Sequence, residues 1–261
     1  MGFFEDPLKL RMACRSGEYD GPTSGHAYGY VQANMVILAK KDADEFREFC
    51  YLNPKPCPIL EVLEEGNPEP KFCAPDADIR TDLSRYRIFR DGEATGDVTD
   101  ISQIWSNDLV TFLLGCSFTA EEALTEAGLE PRHIRETGIV PMYKTTKPTK
   151  SAGNFSGPFV VSMRPYTPKD AQRASDITAK YSIAHGKPIQ IGDPGSLGIT
   201  DVSRPDFGEP VTIKNGEIPV FWACGVTPQI VALKSKIPIM ITHSPGHMFI
   251  TDLRDDDFKF K

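Results

Sequence analysis

The sequence predicts an α/β protein. Short apolar runs with strand character alternate along the chain with segments of helical length, and Pro and Gly are spread between them as punctuation. With 261 residues the chain can bury one sizeable core or form two unequal lobes that share a cleft. Because strands that alternate with helices usually pair through right-handed crossovers, we expect parallel strand pairing.

The first predicted unit is a strand followed by a helix. Residues 30–38 end in the apolar run Met-Val-Ile-Leu, which is typical of a buried strand. Asp42 and Glu45 have the spacing of a capping box, and Asn53-Pro54 stops the helix that they open. This region therefore predicts a β-then-α unit.

A hairpin and two helices are predicted next. Residues 85–90 alternate in polarity and then meet an Asp-Gly turn signal. Residues 107–114 are interpreted as a helix that ends at a glycine, and Thr119 with Glu122 forms a second capping box. The linker between these segments is thus expected to join two helices.

The second half predicts further strands and helices. Thr167-Pro168 and Thr227-Pro228 each combine an N-cap threonine with proline at the first helical position. Residues 211–222, with Asn-Gly at their centre, give the strongest hairpin signal in the chain. The remaining predicted strands are residues 159–163, 189–191, 237–242 and 248–250.

Composition limits the partners. The formal net charge is −7 and the pI is about 5.3, which argues against a phosphate-backbone binder, because nucleic-acid affinity depends on clustered Lys and Arg. Mean hydropathy is −0.30, no long apolar run suggests a membrane span, and the first residues do not resemble a secretory signal. We expect a cytoplasmic protein with a small-molecule partner, neither nucleic acid nor membrane.

The six cysteines have irregular spacings without a C-x-x-C motif, which argues against a zinc knuckle and a disulfide framework. Cys116 and Cys224 precede predicted helix starts, where a thiol has a lowered pKa and can serve as a nucleophile. The alternative is that both are buried thiols without a chemical role. Both interpretations stay open on the sequence.

Two strand ends are candidate carboxylate sites. Arg164 ends one predicted strand, and Cys224-Gly225 ends another, each shortly before a predicted helix start with its free N–H groups. Most helix starts bind only water, so each signal is weak by itself. A structural ion pair is the alternative for Arg164.

The densest polar stretch is Thr-His-Ser-Pro-Gly-His at 242–247, which we call the histidine turn. Pro245-Gly246 prevents the helix on which a pair of histidines four residues apart binds zinc well, so we reject a zinc site. His243 and His247 are candidates for proton transfer, with histidines held by backbone hydrogen bonds as the alternative. A structural role is favoured for the other histidines that follow predicted helices, His133 and His185.

Together, several blocks resemble the putative hydro-lyase family, which also supplies a domain of animal D-glutamate cyclases. The resemblance covers nearly the whole chain and every block is in order. The blocks are G-P-T-S-G at 21–25, Q-A-N at 32–34, N-P-K-P-C-P at 53–58, G-C-S-F at 115–118, S-M-R-P at 162–165, G-D-P at 192–194, F-W-A-C-G-V-T-P-Q at 221–229 and T-H-S-P-G-H-M at 242–248.

The resemblance implies a two-lobed fold and a carbon–oxygen lyase acting on a small carboxylate or amino acid. We expect a mixed sheet with flanking helices in a larger α/β lobe, residues 1–138 with 226–261, and a smaller two-layer α+β lobe, residues 139–225. The animal protein converts D-glutamate to 5-oxo-D-proline and water, so a cyclase is one form of this activity. The expected catalytic residues are Cys116, Asp193, His243 and His247, and the expected substrate-binding residues are Arg15, Asn34, Arg164, Cys224, Gly225 and Thr227.

In this scheme His243 or His247 transfers protons, Arg164 clamps the α-carboxylate and the backbone at 225–227 faces the developing oxyanion. Dehydration of a hydroxy acid would use the same groups. Two other functions stay open: a cysteine-dependent amide hydrolase and a non-catalytic metabolite-binding protein. No dinucleotide or P-loop motif is present, so no cofactor is expected, no spacing requires a metal, and a homo-oligomer stays open.

Overall fold

The computed structural model describes residues 4–258, which fold into helices packed on two sheets. The helices are α1 (Pro7–Arg15), α2 (Lys40–Leu52), α3 (Glu121–Glu126), α4 (His133–Glu136), α5 (Pro168–Thr178) and α6 (Thr227–Ser235). The strands are β1 (Tyr30–Ala39), β2 (Ile59–Val62), β3 (Tyr86–Arg90), β4 (Glu93–Val98), β5 (Leu109–Gly115), β6 (Met142–Pro148), β7 (Pro158–Tyr166), β8 (Gln190–Ile191), β9 (Ile218–Ala223), β10 (Met240–His243) and β11 (Phe249–Arg254). The predicted α/β class is confirmed.

The larger sheet is organised around β1. Its order is β2-β5-β1-β10-β3-β4, and β11 pairs with the early part of β1. Every pairing between described strands is antiparallel, so the expected parallel pairing, and with it a mixed sheet, is wrong. The helix α2 does connect two strands that run in the same direction, but β5 lies between them and pairs with both.

The strand β5 replaces a predicted helix. Its sequence Leu-Val-Thr-Phe-Leu-Leu-Gly is buried at every position, between β1 on one side and β2 on the other. A strand buried on both faces has a continuous apolar run, which periodicity alone does not distinguish from a short buried helix. As a result, Gly115 ends a strand, and Cys116 leads directly into a 3₁₀ helix, Ser117–Ala120.

The smaller sheet has the order β6-β7-β9-β8. The hairpin predicted over residues 211–222 is wrong, because only β9 forms there and it pairs with β7 and β8. Gly216 does adopt a left-handed turn conformation, but its partner position does not, and residues 211–214 join no strand. All four strands fall within residues 139–225; the lobe boundaries themselves stay a prediction.

The helix starts differ in how they are capped. Thr167 caps α5 as predicted, accepting a hydrogen bond from the Asp170 N–H at 3.2 Å. Neither predicted capping box forms: α2 begins at Lys40 directly after β1, and the Thr119 hydroxyl instead accepts the Gln32 N–H at 3.1 Å. Among residues 4–258 no helix is both long enough and apolar enough to cross a membrane.

Apolar packing joins the two sheets. One face of the larger sheet packs on α2 through Phe46 and Phe112, and the other face buries Met35 and Tyr86. A separate cluster contains residues of the smaller sheet and of the connections that adjoin strands of both sheets, among them Cys116, Val140, Met142, Val160, Cys224 and Met248. The polar residues described next lie beside this cluster, at the junction of the sheets.

Candidate active site

A buried group of polar side chains connects the two sheets. Glu121, the first residue of α3, and His133, the first residue of α4, are 0% and 1% exposed. The Glu121 Oε1 atom lies 3.0 Å from His133 Nε2, and the Ser24 hydroxyl donates to Glu121 Oε2 at 2.9 Å. We call Ser24, Ser117, Glu121, His133, Ser162 and Arg164 the Ser24 network.

Arg164 supplies the positive charge of this network. Its Nη2 atom donates to Glu121 Oε1 at 3.1 Å and to Ser117 Oγ at 3.2 Å, and Nη1 donates to Ser162 Oγ at 3.2 Å. The guanidinium also lies over the Trp222 ring, 5.5 Å from its centroid. Arg164 therefore forms the buried ion pair that was the alternative to carboxylate binding, and its role as a substrate clamp stays a prediction.

The protonation state follows from burial and charge. Burial raises the pKa of the Glu121 carboxyl, but His133, Arg164 and Ser24 outweigh it, so the pKa lies below its ordinary value. Burial lowers the pKa of His133, and Glu121 restores it only in part. At neutral pH the site therefore contains an ionised carboxylate beside a neutral imidazole.

This geometry differs from a serine hydrolase triad. In a triad the serine and the carboxylate contact opposite nitrogens of the imidazole. Here Ser24 Oγ lies 3.2 Å from His133 Nε2, the same nitrogen that faces Glu121. The carboxylate therefore does not orient the imidazole for attack by serine, and the arrangement suits proton transfer better than acylation.

The loop before β1 connects the Ser24 network with the histidine turn. Thr23 donates its hydroxyl to Gly246 O at 3.4 Å and accepts the Met248 N–H at 2.8 Å, so it contacts the residues on both sides of His247. The next residue, Ser24, belongs to the network. These two sets of polar groups are thus neighbours, although they are distant in the chain: the network ends at Arg164 and the turn begins at Thr242.

His243 completes the larger sheet. The strand β1 pairs with β11 up to Ala33 and with β10 from Val36 onward, which leaves the Met35 amide at the branch point. That N–H donates to His243 Nδ1 at 3.1 Å, so the imidazole takes the place of a backbone acceptor. Burial lowers the pKa of His243 to about 3, so it is neutral at neutral pH. A role in proton transfer stays a prediction, with a structural role now visible beside it.

His247 has a more polar environment. Its Nδ1 atom lies 3.0 Å from Pro245 O, and the ring is 9% exposed. Burial lowers its pKa, Arg85 lowers it further, and Asp97 and Asp20 oppose the shift. Of the two histidines of the turn, His247 is therefore the one that meets charged groups near the surface.

Asn34 and Gly225 bring two loops into contact. The Asn34 side chain donates to Gly115 O at 2.6 Å, and a Cβ atom at Gly225 would lie 2.0 Å from Asn34 Nδ2. A larger residue at position 225 would therefore displace the Asn34 side chain. Asn34 thus holds the ends of β5 and β9 together, which places Cys116 and Cys224 in the same apolar cluster.

The two thiols do not have the lowered pKa that the nucleophile interpretation requires. Burial raises the pKa of Cys116, and it raises that of Cys224 to about 11, outweighing the nearby backbone N–H groups and Arg164. Both are therefore protonated thiols at neutral pH. Their assignment to catalysis or substrate binding stays a prediction.

Three other predicted residues have local partners. Thr227 is the first residue of α6 rather than its cap, and its hydroxyl donates to Cys224 O at 2.7 Å while its N–H donates to the same oxygen. Arg15 pairs with Asp82 through two hydrogen bonds of 2.6 Å. Asp193 is exposed and accepts the Gly195 N–H at 3.1 Å within its own loop. Contacts of Arg15 and Asp193 with the Ser24 network are absent from the described part of the chain.

Sequence reasoning missed three residues of this site. Glu121 was not considered, His133 was given a structural role, and Ser24 appeared only as part of the block 21–25. One signal was available for Glu121: it precedes Leu124 by three residues, so both lie on the same helical face, and a carboxylate there must be buried with partners. For His133 no local pattern indicates the partner. Among residues 4–258 no three His, Cys, Asp or Glu side chains are grouped so that they could hold a metal ion.

Comparisons with known proteins find relatives over nearly the whole chain. The family described as D-glutamate cyclase matches residues 110–252. A protein of Bacillus licheniformis named putative hydro-lyase is 55% identical over 252 residues, 97% of this chain and 96% of that protein. One of the same name from Geobacillus kaustophilus is 57% identical over 248 residues, 95% and 94% of the two chains. The crystal structure of a nitrogen repressor-like protein from Methanococcus jannaschii covers 95% of this chain and 98% of that one, but 12% identity and a TM-score of 0.37 carry no argument.

The fold and the site first define a class, an α/β protein that encloses groups of both charges where its two sheets meet. The chain belongs to the putative hydro-lyase family, and its residues 110–252 match the family described as D-glutamate cyclase. The resemblance inferred from the sequence blocks is thereby confirmed. The matched segment contains Glu121, His133 and Arg164 as well as the histidine turn.

Proposed function

We propose that the protein is a carbon–oxygen lyase that cyclises D-glutamate to 5-oxo-D-proline with loss of water. The observation that carries the proposal is the buried contact between Glu121 and His133, with Ser24 bonded to both. The matched D-glutamate cyclase segment, which includes this pair, supports the substrate.

The reaction sets a clear requirement for proton transfer. The α-ammonium group of glutamate must lose two protons to become the amide nitrogen of the ring. The oxygen that leaves the γ-carboxylate needs two protons to depart as water. A site that accepts protons from nitrogen and returns them to oxygen therefore completes the reaction without net exchange with solvent.

The Ser24 network has groups suited to this task. Glu121 is an ionised acceptor next to the neutral imidazole of His133, so the pair can hold a transferred proton. Arg164 keeps the carboxylate ionised between turnovers. We assign His247 as a second proton-transfer group, since Thr23 holds its turn against the loop that carries Ser24. We keep the amides near Gly225 as the oxyanion donors.

An NMR time course of the purified protein tests the proposal. We expect D-glutamate, and not L-glutamate, to be converted to 5-oxo-D-proline, and we expect Glu121→Gln to lower the rate about 100-fold or more, because proton transfer contributes on that scale. Glu126→Gln is the matched control, since Glu126 is an exposed carboxylate on the same helix. If D-glutamate stays unchanged overnight, the cyclase proposal is wrong.

A second candidate reaction is dehydration of a small hydroxy acid. The names of the relatives favour it, and it needs a base and an acid as cyclisation does. A panel of short 2- and 3-hydroxy acids, followed by the appearance of alkene signals, separates the two reactions. A ligand that raises the melting temperature and stays unchanged would instead support a metabolite-binding protein.

A further inference from the structure

Among the hydroxyls of the Ser24 network, Ser24 has a distinct position. Ser117 and Ser162 contact Arg164, each at 3.2 Å. Ser24 instead contacts the two proton-transfer groups, 2.9 Å from Glu121 Oε2 and 3.2 Å from His133 Nε2. One hydroxyl therefore touches both members of the buried pair.

Ser24 is also more exposed than the pair that it contacts. Glu121 and His133 are essentially inaccessible, whereas Ser24 retains 8% exposure and the next residue, Gly25, lines an open surface cavity with Tyr28. The loop that carries Ser24 bends sharply, with positive φ at Gly25, Ala27 and Gly29. We take this cavity as the side from which a substrate enters, and Ser24 is the member of the network that adjoins it in the chain.

The position of Ser24 is fixed from both sides. The Gln32 side chain donates to Thr23 O at 3.2 Å and to His26 O at 3.1 Å, and the Thr23 backbone N–H donates to Gly246 O at 2.9 Å. The backbone of the loop is thus held, while the hydroxyl hydrogen that bonds Glu121 Oε2 stays free to rotate. This combination is what a proton relay requires.

We propose that Ser24 is a catalytic residue that relays protons between the substrate and the buried Glu121–His133 pair. In the forward step the substrate nitrogen gives a proton to Ser24 Oγ as the Ser24 O–H proton moves to Glu121 Oε2. One N–H bond and one O–H bond break, and two O–H bonds form. The reverse transfer through the same hydroxyl delivers the proton to the departing oxygen, so Ser24 ends unchanged.

The relay rests on the proposed function for its substrate. It also predicts how fast the His133 ring hydrogen exchanges with water, which can be measured without substrate. The His133 ring N–H is buried, so its hydrogen can exchange with water quickly only through a neighbouring hydroxyl. In a ¹⁵N-edited NMR experiment we expect Ser24→Ala to slow this exchange about tenfold or more, as expected when a positioned proton carrier is removed. Ser24→Thr, which keeps the hydroxyl, should exchange at nearly the wild-type rate.

The opposite result would overturn the relay. If Ser24 only closes the site, Ser24→Ala opens a path for water and the exchange becomes faster or stays unchanged. Ser117→Ala is the matched control, because it removes a hydroxyl of the same network that contacts Arg164 and not His133. If Ser24→Ala does not fold, Ser24→Cys replaces it, because a thiol is close in shape to the hydroxyl but is a weaker donor. Ser24→Cys should also slow the exchange.

The turnover measurement then separates the two proposals. If the wild-type protein converts D-glutamate, Ser24→Ala should lower kcat about 100-fold with KM changed little, since the hydroxyl acts on proton transfer rather than on binding. Equal losses in Ser117→Ala and Ser24→Ala would contradict the relay. If wild-type protein does not convert D-glutamate, the proposed function fails, and the exchange rates still decide whether Ser24 is a relay.

Discussion

The Ser24 network and the histidine turn are neighbouring polar regions with opposite character. In the network a carboxylate, a guanidinium and an imidazole are buried together, and the carboxylate pairs with both of the others. In the turn, His243 is equally buried but has no charged partner within bonding distance among the described residues, and its Nδ1 atom serves the Met35 amide. The same residue type is thus held next to an ion in one region and used as a sheet partner in the other.

This difference shows that burial alone does not distinguish a histidine placed for proton transfer from a structural one. Both His133 and His243 have a lowered pKa because of burial, but only His133 faces a carboxylate that can exchange a proton with it. The partner, rather than the pKa, distinguishes the two sites. Three measurements can sharpen or break the contrast.

The largest effect is expected from Glu121→Ala. Removal of the carboxylate leaves Arg164 buried without its ion partner, which typically costs about 3–5 kcal/mol of unfolding free energy. Urea denaturation of the variant and of wild type measures this difference. Glu126→Ala, on the exposed face of α3, should change stability by less than about 0.5 kcal/mol. Equal losses of unfolding free energy in the two variants would mean that the buried ion pair does not contribute to stability.

The second effect is a pH dependence that belongs to the histidine turn. The folded-state pKa of His243 is about 3, whereas an unfolded histidine titrates near 6.5. Below about pH 6.5 the unfolded state therefore binds a proton that the folded state does not, and stability falls as pH falls towards 3. At pH 5 this amounts to about 2 kcal/mol.

His243→Gln should remove that part of the slope, because a glutamine oxygen can still accept the Met35 N–H while nothing at this position titrates. Melting temperatures between pH 5 and 8 provide the comparison. His247→Gln is the control and should flatten the profile less, since Asp97 and Asp20 already favour the protonated form of His247. An unchanged slope in His243→Gln would show that this histidine is not kept neutral.

The smallest effect is expected at the thiols between the two regions. Because Cys116 and Cys224 are buried and protonated, iodoacetamide at neutral pH should leave both unmodified in the folded protein and should leave turnover unchanged. In urea all six cysteines should react. Rapid alkylation of Cys224 in the folded state would instead favour the cysteine-dependent amide hydrolase.

Local pattern predicted much of the secondary structure. The strands β1, β7 and β10, the β3–β4 hairpin and the helices α2, α5 and α6 follow the predicted order, because their apolar periodicity and Pro or Gly boundaries act within a few residues. Predictions that depended on the neighbouring strand were wrong. The segment of β5 became a strand because β1 and β2 flank it, and residues 211–214 were left unpaired because β7 lies beside β9.

The candidate site divides in the same way. The sequence by itself determined the family, through blocks that include Ser24, Arg164 and the histidine turn. Only the tertiary structure decided which side chains form the Ser24 network. Its members come from separate segments of the chain, among them Ser24, Glu121, His133 and Arg164. A contact between distant segments depends on how the sheets pack, and no local pattern encodes the partner of a buried charge.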